Sequence, residues 1–472
     1  MITYIICIVA LVVGYVIYGK IVDDQFGPTD EKTPALVHAD GVDYVPMGTG
    51  RIFLIQLLNI AGLGPIFGAL GGALWGPVAY LWVVFGNIFG GAVHDYFSGM
   101  ISLRHNGASI SEIVGIYLGS TAKLAMRIFS VVLLVLVGVV FMTGPAALLA
   151  MLTPESLDFK FWLWVILIYY FCATFLPIDK LIGRIYPFFG FVLLFMALGV
   201  GTMILFSGHT LPELTLENLH PGKLPIWPLM FVTIACGAVS GFHATQSPMM
   251  ARCIQTERDG RKVFYGAMIA EGIIAIVWIA AGITFYDGTP GLAKAMTALK
   301  GPGPVVYDIS FKLLGTFGGI LAMIGVIACP ITSGDTAFRS ARLTLADWFN
   351  IDQAPISKRL LIAVPMLSIG YALTQVDFSI LWRYFAWSNQ TLAMFALWSA
   401  AMYLARNNKN YWIAVVPAIF MSAVSVTYIL QAPEGFKLAT SISYPAGAVG
   451  ALICFALFMM NKPKSNQNIS ST

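Results

Sequence analysis

The segment from Phe231 to Arg252 reads FVTIACGAVSGFHATQSPMMAR, and it begins as an apolar run typical of a membrane helix. Gly237, Ser240 and Gly241 then interrupt the run. A bilayer core offers no hydrogen-bond partner to backbone groups freed in this way, so such a break persists only against protein or a water-filled cavity. The segment therefore predicts a discontinuous helix that is broken at residues 237–241.

A second stretch has the same character: Asn59 to Pro65 reads NIAGLGP, which predicts a break at residues 61–65. Two interrupted helices in corresponding halves of a membrane chain are typical of a transporter binding site. The alternative is a pair of kinks that only allow close packing, because Gly and Pro are frequent in membrane helices.

The composition restricts the class of protein. Of the 472 residues, 58% are hydrophobic and 11% are charged, whereas soluble domains carry about 25% charged residues. The sequence therefore predicts an all-α membrane protein whose surroundings are the lipid bilayer, without a nucleic-acid partner. It contains no GxSxG, HExxH or Walker motif, so we expect no enzyme activity. The six cysteines are scattered singly, which indicates neither disulfides nor a zinc site.

Thirteen apolar stretches have the length of a membrane span. They cover residues 2–19, 51–73, 76–101, 124–152, 160–177, 185–207, 227–250, 263–286, 313–340, 358–376, 379–404, 411–431 and 443–461. Most of the 27 Lys and Arg residues fall in alternate loops, and an excess of basic residues marks the cytoplasmic side. We therefore expect the N-terminus outside and the C-terminus in the cytoplasm.

The spacing of the two breaks predicts an internal symmetry. Five spans separate the start of the second span from the start of the seventh, and these two spans enter from opposite sides. Such a 5+5 arrangement is an inverted repeat. We expect residues 1–50 to hold an N-terminal helix and loop, 51–207 and 208–405 the two repeats, and 406–472 two further helices with a short tail.

Several motifs resemble the carbon starvation protein A (CstA) family. They are Asp43-Tyr44-Val45-Pro46, Ile60-Ala61-Gly62-Leu63-Gly64-Pro65, Gly91-Ala92-Val93-His94-Asp95, Ser102-Leu103-Arg104-His105-Asn106-Gly107, Ser240-Gly241-Phe242-His243-Ala244, Asp335-Thr336-Ala337-Phe338-Arg339-Ser340-Ala341-Arg342 and Asn389-Gln390-Thr391-Leu392-Ala393. The resemblance implies a bacterial inner-membrane transporter, for peptides in some members and pyruvate in others. The repeat also resembles the LeuT-type (amino acid–polyamine–organocation) fold.

The broken helices supply the predicted substrate site. Half-helix ends at mid-membrane present partial charges and free backbone groups to a solute. The predicted substrate-binding residues lie in the breaks, just after them, or in the last core helix. They are Asn59, Gly62, Gly64, Ser240, Gly241, His243, Gln246, Asn389 and Gln390.

The resemblance to the LeuT-type fold also implies a sodium site. There, paired hydroxyls on the eighth core helix join carbonyls of the first broken helix. Thr332 and Ser333 are similar to that pair, and Ala61 supplies a carbonyl. The alternative is ordinary hydrogen bonding of the two hydroxyls to their own preceding turn. No other cofactor is expected.

Four ionisable residues are the predicted proton carriers: His94, Asp95, Glu271 and Asp335. Ionisable groups at membrane depth are costly and mostly face the bundle interior. For His94 and Asp95 the alternative is a structural network, and for Glu271 it is a neutral acid bonded to a neighbouring helix. Asp335 has Arg339 four positions later, so an ion pair along the helix is the stronger interpretation.

Two functions are therefore considered. The first is a secondary transporter that imports a small carboxylate-bearing nutrient, coupled to sodium or protons. The second is a membrane receptor or sensor that binds such a nutrient without transporting it. The short tail from Asn461 to Thr472 disfavours the receptor, which usually needs a signalling domain. The sequence does not indicate an oligomeric state.

Overall fold

The computed structural model describes residues 1–41, 44–175, 178–353 and 355–463, with only the backbone of residues 178–185. Asp43, the last two residues of the predicted span 160–177 and nearly all of the predicted tail lie outside the described residues. The described chain is helical, with an isolated parallel bridge between Met47 and Ile254.

Nineteen α-helices make up the described chain. They are α1 (Ile2–Phe26), α2 (Pro34–Val37), α3 (Thr49–Ile60), α4 (Ala69–Ala73), α5 (Val78–Gly86), α6 (Ala92–Arg104), α7 (Ile110–Leu118), α8 (Ser120–Leu152), α9 (Phe159–Ala173), α10 (Ile178–Phe206), α11 (Leu229–Thr233), α12 (Gly241–Ala251), α13 (Gly266–Phe285), α14 (Thr289–Ala298), α15 (Pro302–Phe349), α16 (Ile356–Leu373), α17 (Phe378–Arg406), α18 (Trp412–Gln431) and α19 (Thr440–Asn461). Single π-helical turns at Gly64–Gly68, Asn87–Gly91 and Arg261–Tyr265 lead into α4, α6 and α13.

The structure has fewer helices that qualify as membrane spans, judged by length and composition, than the thirteen spans that the sequence predicts. Among the described residues, eight helices are long and apolar enough to cross a membrane, or nine if the bent pair α3 and α4 forms one span. Each of the thirteen predicted ranges nevertheless overlaps a helix or a pair of helices. The difference arises because breaks and π-turns divide some ranges into short helices, while α17 carries polar side chains.

The first break is shorter than predicted. Helix α3 ends at Ile60, residues 61–63 are not helical, and a π-turn begins at Gly64. The chain bends by 56° between the two parts. Pro65 lies in that π-turn, where a missing N–H costs little because the first turn has no internal partner for it.

The second break is longer than predicted and covers residues 234–240, between α11 and α12. Gly237 has a φ of +90°, a conformation that favours glycine. The two breaks lie against each other. A Cβ on Gly64 would be 2.2 Å from the Cβ of Cys236, so glycine is needed there for the backbones to approach.

Around the breaks, α3, α6, α12 and α13 pack on one another, while α15 packs along α8 and α10. Outside this core, the predicted surface helix at 109–118 forms α7, and the Ser109 hydroxyl accepts a hydrogen bond from Glu112 N at 3.4 Å. The packing of α3, α6, α12 and α13 brings both breaks and the buried ionisable residues to one place.

Candidate functional site

Four ionisable side chains form a buried row across α6, α12 and α13. Asp95 lies between two imidazoles: its Oδ1 is 2.7 Å from His94 Nδ1, and its Oδ2 is 2.8 Å from His243 Nδ1. On the far side of its ring, His243 Nε2 is 3.4 Å from Glu271 Oε2. None of the four side chains is exposed. We call these residues, His94, Asp95, His243 and Glu271, the ionisable row.

The two ends of the ionisable row are open to further bonding. Among the described residues, neither Glu271 oxygen nor His94 Nε2 has a hydrogen-bond partner, and His243 Nε2 has only the 3.4 Å ionic contact with Glu271. Buried polar atoms without partners are rare in native proteins, so these atoms indicate a function other than stabilising the fold. The Sγ of Cys236 in the second break lies within 4.8 Å of a ring nitrogen of His243 and of a Glu271 oxygen, so this end of the row adjoins the break.

Side chains of α5 and of the π-turn after it satisfy carbonyls of the second break. Trp82 Nε1 donates to Ile234 O at 3.0 Å. Asn87 Nδ2 donates to Gly237 O at 2.9 Å and to Met268 O at 2.7 Å. The carbonyls of Ile234 and Gly237, which the break frees, are thus bonded to protein, as membrane depth requires.

Helix α17 holds the other edge of the second break. Asn389 Oδ1 accepts hydrogen bonds from Phe242 N at 2.6 Å and from the Ser240 hydroxyl at 3.2 Å. The Asn389 side chain therefore caps α12 from a distant helix. Its neighbour Gln390 donates through Nε2 to Phe231 O at 3.3 Å. These predicted substrate-binding residues thus have bonding partners in the protein.

The predicted glycines lie where backbones and rings come close. A Cβ on Gly62 would be 2.4 Å from the Phe141 ring, and one on Gly241 would be 2.3 Å from Asn389 O. Together with Gly64, these glycines let the breaks pack without side chains between them.

Three buried amides lie on α3 and α12, two helices that pack on each other. In Asn59 both amide atoms lack a partner among the described residues, and so do the side-chain oxygens of Gln56 and Gln246. Gln56 Nε2 donates to the Ser247 hydroxyl at 3.3 Å, and Gln246 Nε2 donates to the Thr245 hydroxyl at 2.9 Å. The unpaired amide atoms of Asn59 and Gln246 are suited to a solute that offers both donors and acceptors.

Of the two predicted sodium hydroxyls, that of Ser333 lies at the end of α3, whereas the described contacts of Thr332 are with Cys329 of its own helix and with Tyr186 of α10. The Ser333 hydroxyl donates to Leu58 O at 2.9 Å and to Cys329 O at 3.0 Å, and the Thr332 hydroxyl donates to Cys329 O at 2.7 Å. The thiol of Cys329 contacts Ala61 O at 2.9 Å. Three carbonyls and the Ser333 hydroxyl are thus gathered at the end of α3, and hard cations bind such oxygens.

Asp335 lies apart from the ionisable row. Its Oδ2 is 3.9 Å from Arg339 Nη2 and accepts a hydrogen bond from the Tyr186 hydroxyl at 3.5 Å. The carboxylate therefore belongs to a contact between α10 and α15.

Sequence reasoning missed several contributors to the site. Asn87 is a lone amide within an apolar stretch, and its depth in the membrane was a signal for a bonding role. Cys329 precedes Ser333 by one helical turn, but a thiol in an apolar helix is ordinary packing and gives no signal. Leu58 acts through a backbone atom, and Trp82 and Cys236 act through partners that are distant in sequence, Ile234 and Asn389.

Comparisons with known proteins give the family. The family model "Carbon starvation protein CstA" matches residues 1–156 and 145–300. An uncharacterized membrane protein of Haemophilus influenzae is 44% identical in an alignment 351 positions long that covers 63% of this chain and 95% of that protein. The peptide transporter CstA of Campylobacter jejuni is 25% identical and aligns over 97% of this chain and 85% of its own.

A third relative is the pyruvate/proton symporter BtsT of Escherichia coli, which is 27% identical over 56% of this chain and 47% of its own length. Both named relatives are transporters, in agreement with the prediction that the chain is not an enzyme. The solved structure of MhsT in complex with L-phenylalanine superposes with a TM-score of 0.55 at 16% identity, covering 87% of this chain and 98% of that one. The chain belongs to the carbon starvation protein CstA family and has a LeuT-like transporter core.

Proposed function

We propose that this chain is a secondary transporter that imports a small carboxylate-bearing nutrient together with protons. The observation that carries the proposal is the ionisable row, in which His94, Asp95, His243 and Glu271 lie buried next to the second break. The names of the relatives from Campylobacter jejuni and Escherichia coli suggest a peptide or pyruvate as the solute. An amino acid is the third solute that we consider.

The geometry of the row suggests how a proton is handled. In the tautomer that carries the proton on Nδ1, both imidazoles donate to Asp95, which leaves His243 Nε2 as an acceptor facing Glu271. A protonated Glu271 can donate its O–H to that nitrogen, and Asp95 stabilises the imidazolium that forms. Histidine suits this task because its unperturbed proton exchange occurs near neutral pH.

Solute binding next to the row couples the two processes. A proton leaving Glu271 changes the charge beside Cys236 in the second break, where α12 begins a few residues later. The N-terminal end of a half-helix carries partial positive charge that attracts a carboxylate. Asn59 and Gln246 offer unpaired amide atoms for the rest of the solute.

The proposal includes the placement in the membrane. We place thirteen spans in the inner membrane, with a 5+5 inverted repeat over residues 51–207 and 208–405, the N-terminus outside and the C-terminus in the cytoplasm. The support is the distribution of Lys and Arg over alternate loops and the packing of one break against the other.

Sodium coupling is the second candidate, and one observation favours it. The oxygens of Leu58, Ala61, Cys329 and Ser333 surround the end of α3. One observation disfavours sodium. The carbonyls of Leu58 and Ala61 already accept hydrogen bonds from the Cys329 thiol and the Ser333 hydroxyl, so protein donors take the place that a bound cation would need.

The test is uptake into proteoliposomes with the pH gradient and the sodium gradient imposed separately. The probes are labelled pyruvate, alanine and dialanine. For one-for-one symport, a pH difference of one unit supports about tenfold accumulation, because it is worth about 1.4 kcal/mol. We expect accumulation with the pH gradient alone; accumulation that requires sodium alone contradicts proton coupling.

A matched pair of variants assigns the coupling to the row. Glu271→Gln should abolish accumulation yet retain exchange of labelled for unlabelled solute, because exchange needs no net proton movement. Glu217→Gln, at an exposed loop position, should behave as the parent. Binding of solute without any exchange would instead support the receptor.

A further inference from the structure

A groove with a volume of about 560 Å³ runs along the outside of the molecule between α1, α3 and α13. Its polar end is lined by Thr49, Gly50 and Lys262, and its apolar end by Val12, Ile269 and Ile273. The groove therefore has one end suited to a charged group and one suited to hydrocarbon.

The length of the groove matches half a bilayer. Lys262 and Ile273 are eleven positions apart, about 16 Å at helical rise. The hydrocarbon core is about 30 Å thick, so one leaflet is about 15 Å deep. Lys262 lies on the side that the basic loops identify as cytoplasmic. The groove thus has the length that one acyl chain needs to extend from the membrane surface to mid-membrane.

The polar end favours an anion. Lys262 is exposed, and no described acid lies within ion-pair distance of it. Arg261 lies over the ring of Tyr15, another lining residue, at 5.5 Å. The acids nearby are engaged: the carboxylate of Asp259 accepts a hydrogen bond from the Thr49 hydroxyl at 2.7 Å, and Asp23 interacts electrostatically with Arg261.

We propose that this groove binds an anionic phospholipid of the leaflet on the Lys262 side, with its phosphate at Lys262 and the first turn of α3. In that turn Arg51 N and Ile52 N donate to Gly48 O, which leaves the N–H groups of Thr49 and Gly50, and the turn carries partial positive charge. The acyl chain lies along Ile269 and Ile273. Since α13 also carries Glu271, the lipid holds α1 against the helix that positions one end of the ionisable row.

The experiment measures lipid binding to the purified full chain in detergent by native mass spectrometry and thermal unfolding. The probes are phosphatidylglycerol, phosphatidylcholine with the same acyl chains, and glycerol 3-phosphate. We expect phosphatidylglycerol to bind and raise Tm, phosphatidylcholine to bind more weakly, and glycerol 3-phosphate to have no effect. Equal binding of the two phospholipids, or equal stabilisation by glycerol 3-phosphate, overturns the proposal.

Two variants separate the charge from the groove. Lys262→Gln should weaken phosphatidylglycerol binding about fivefold, the usual contribution of one Lys near a membrane surface. Lys20→Gln makes the same charge change on an exposed position of α1 outside the groove lining and should have no effect. Ala270→Phe fills the groove and should weaken both phospholipids.

The alternative occupant is a second copy of the chain. Light scattering distinguishes it: a dimer in the parent that becomes a monomer in Ala270→Phe, without any lipid difference, overturns the lipid proposal. Unchanged phosphatidylglycerol binding in Lys262→Gln does so as well. Counterflow of solute measured in parallel shows that each variant is folded.

Discussion

His243 Nδ1 lies 2.8 Å from Asp95 Oδ2, and neither side chain is exposed to solvent. The two residues come from α12 and α6, and they are 148 positions apart in the chain. Their contact joins α12, which belongs to the second broken helix, to α6, which belongs to the span after the first broken helix. A change at either residue should therefore affect transport and folding together, and the two effects can be separated by measuring both.

Asp95→Asn should abolish proton-driven accumulation. An amide cannot carry the charge that orients both imidazoles, and its NH₂ group faces an N–H of His94 or His243. We expect the free energy of unfolding to fall by about 1–3 kcal/mol because a buried bond is lost. Uptake and thermal unfolding measure the two effects.

The control for this variant is Asp24→Asn, at an exposed position of α1. A protein with Asp95→Asn that still accumulates solute on a pH gradient would exclude Asp95 from the coupling.

Asn87→Ala should destabilise the second break. The amide donates to Gly237 O and Met268 O, and both carbonyls are left without these donors in the variant. The cost of buried unpaired carbonyls is about 1–3 kcal/mol. Thermal unfolding in detergent checks this, with Asn461→Ala, an exposed amide, as the matched control. An unchanged Tm for Asn87→Ala would show that water replaces the amide.

Gly91→Ala should prevent transport because the added Cβ would be 2.1 Å from Ala238 O in the second break. A backbone atom cannot rotate away as a side chain can, so the π-turn and the break must separate. Gly48→Ala is the control, since nothing lies within 4 Å of its added Cβ. Counterflow exchange and size-exclusion chromatography of both variants are the measurements. Normal exchange by Gly91→Ala would mean that the contact is not needed.

The double variant Thr332→Ala, Ser333→Ala tests the sodium candidate. If sodium binds at the end of α3, removal of both hydroxyls should eliminate any sodium stimulation of uptake. Thr336→Ala removes a buried hydroxyl of the same helix, which donates only to Ser333 O at 2.9 Å, and should leave stimulation intact. Sodium stimulation that persists in the double variant would place the ion elsewhere.

Glu112 provides a test of pH-dependent stability outside the membrane spans. Burial opposes its ionisation, but hydrogen bonds and charges from Lys123 and Arg127 outweigh it and lower the pKa of Glu112. A carboxyl with a lowered pKa stabilises the fold above its unfolded pKa, and this contribution is lost as the pH falls through the folded pKa. Glu112→Gln should therefore lower Tm at pH 7 and make little difference at pH 3.

The contribution is small because the pair is partly exposed and screened by solvent. A Tm difference between Glu112→Gln and the parent that grows on acidification would contradict the assignment.

Much of the fold was accessible from the sequence because the bilayer imposes strict rules. Glycines and polar residues at membrane depth located both broken helices to within a few residues, and hydropathy located the helices. The first and last residues of each break were predicted less accurately. The first resumes as a π-turn at Gly64, and the second starts at Ile234, where an apolar residue gives no signal.

The sequence by itself determined which residues are expensive to bury in lipid, and so it identified His94, Asp95 and Glu271 one by one, while His243 was predicted as a substrate contact from its place after the second break. Only the tertiary structure decided that they form one row, that Asn389 caps α12, and that the breaks meet at Gly64 and Cys236. The physical reason is that helices apolar on all sides carry no periodic signal for their rotation. Their tilt and rotation are set by packing against neighbouring helices.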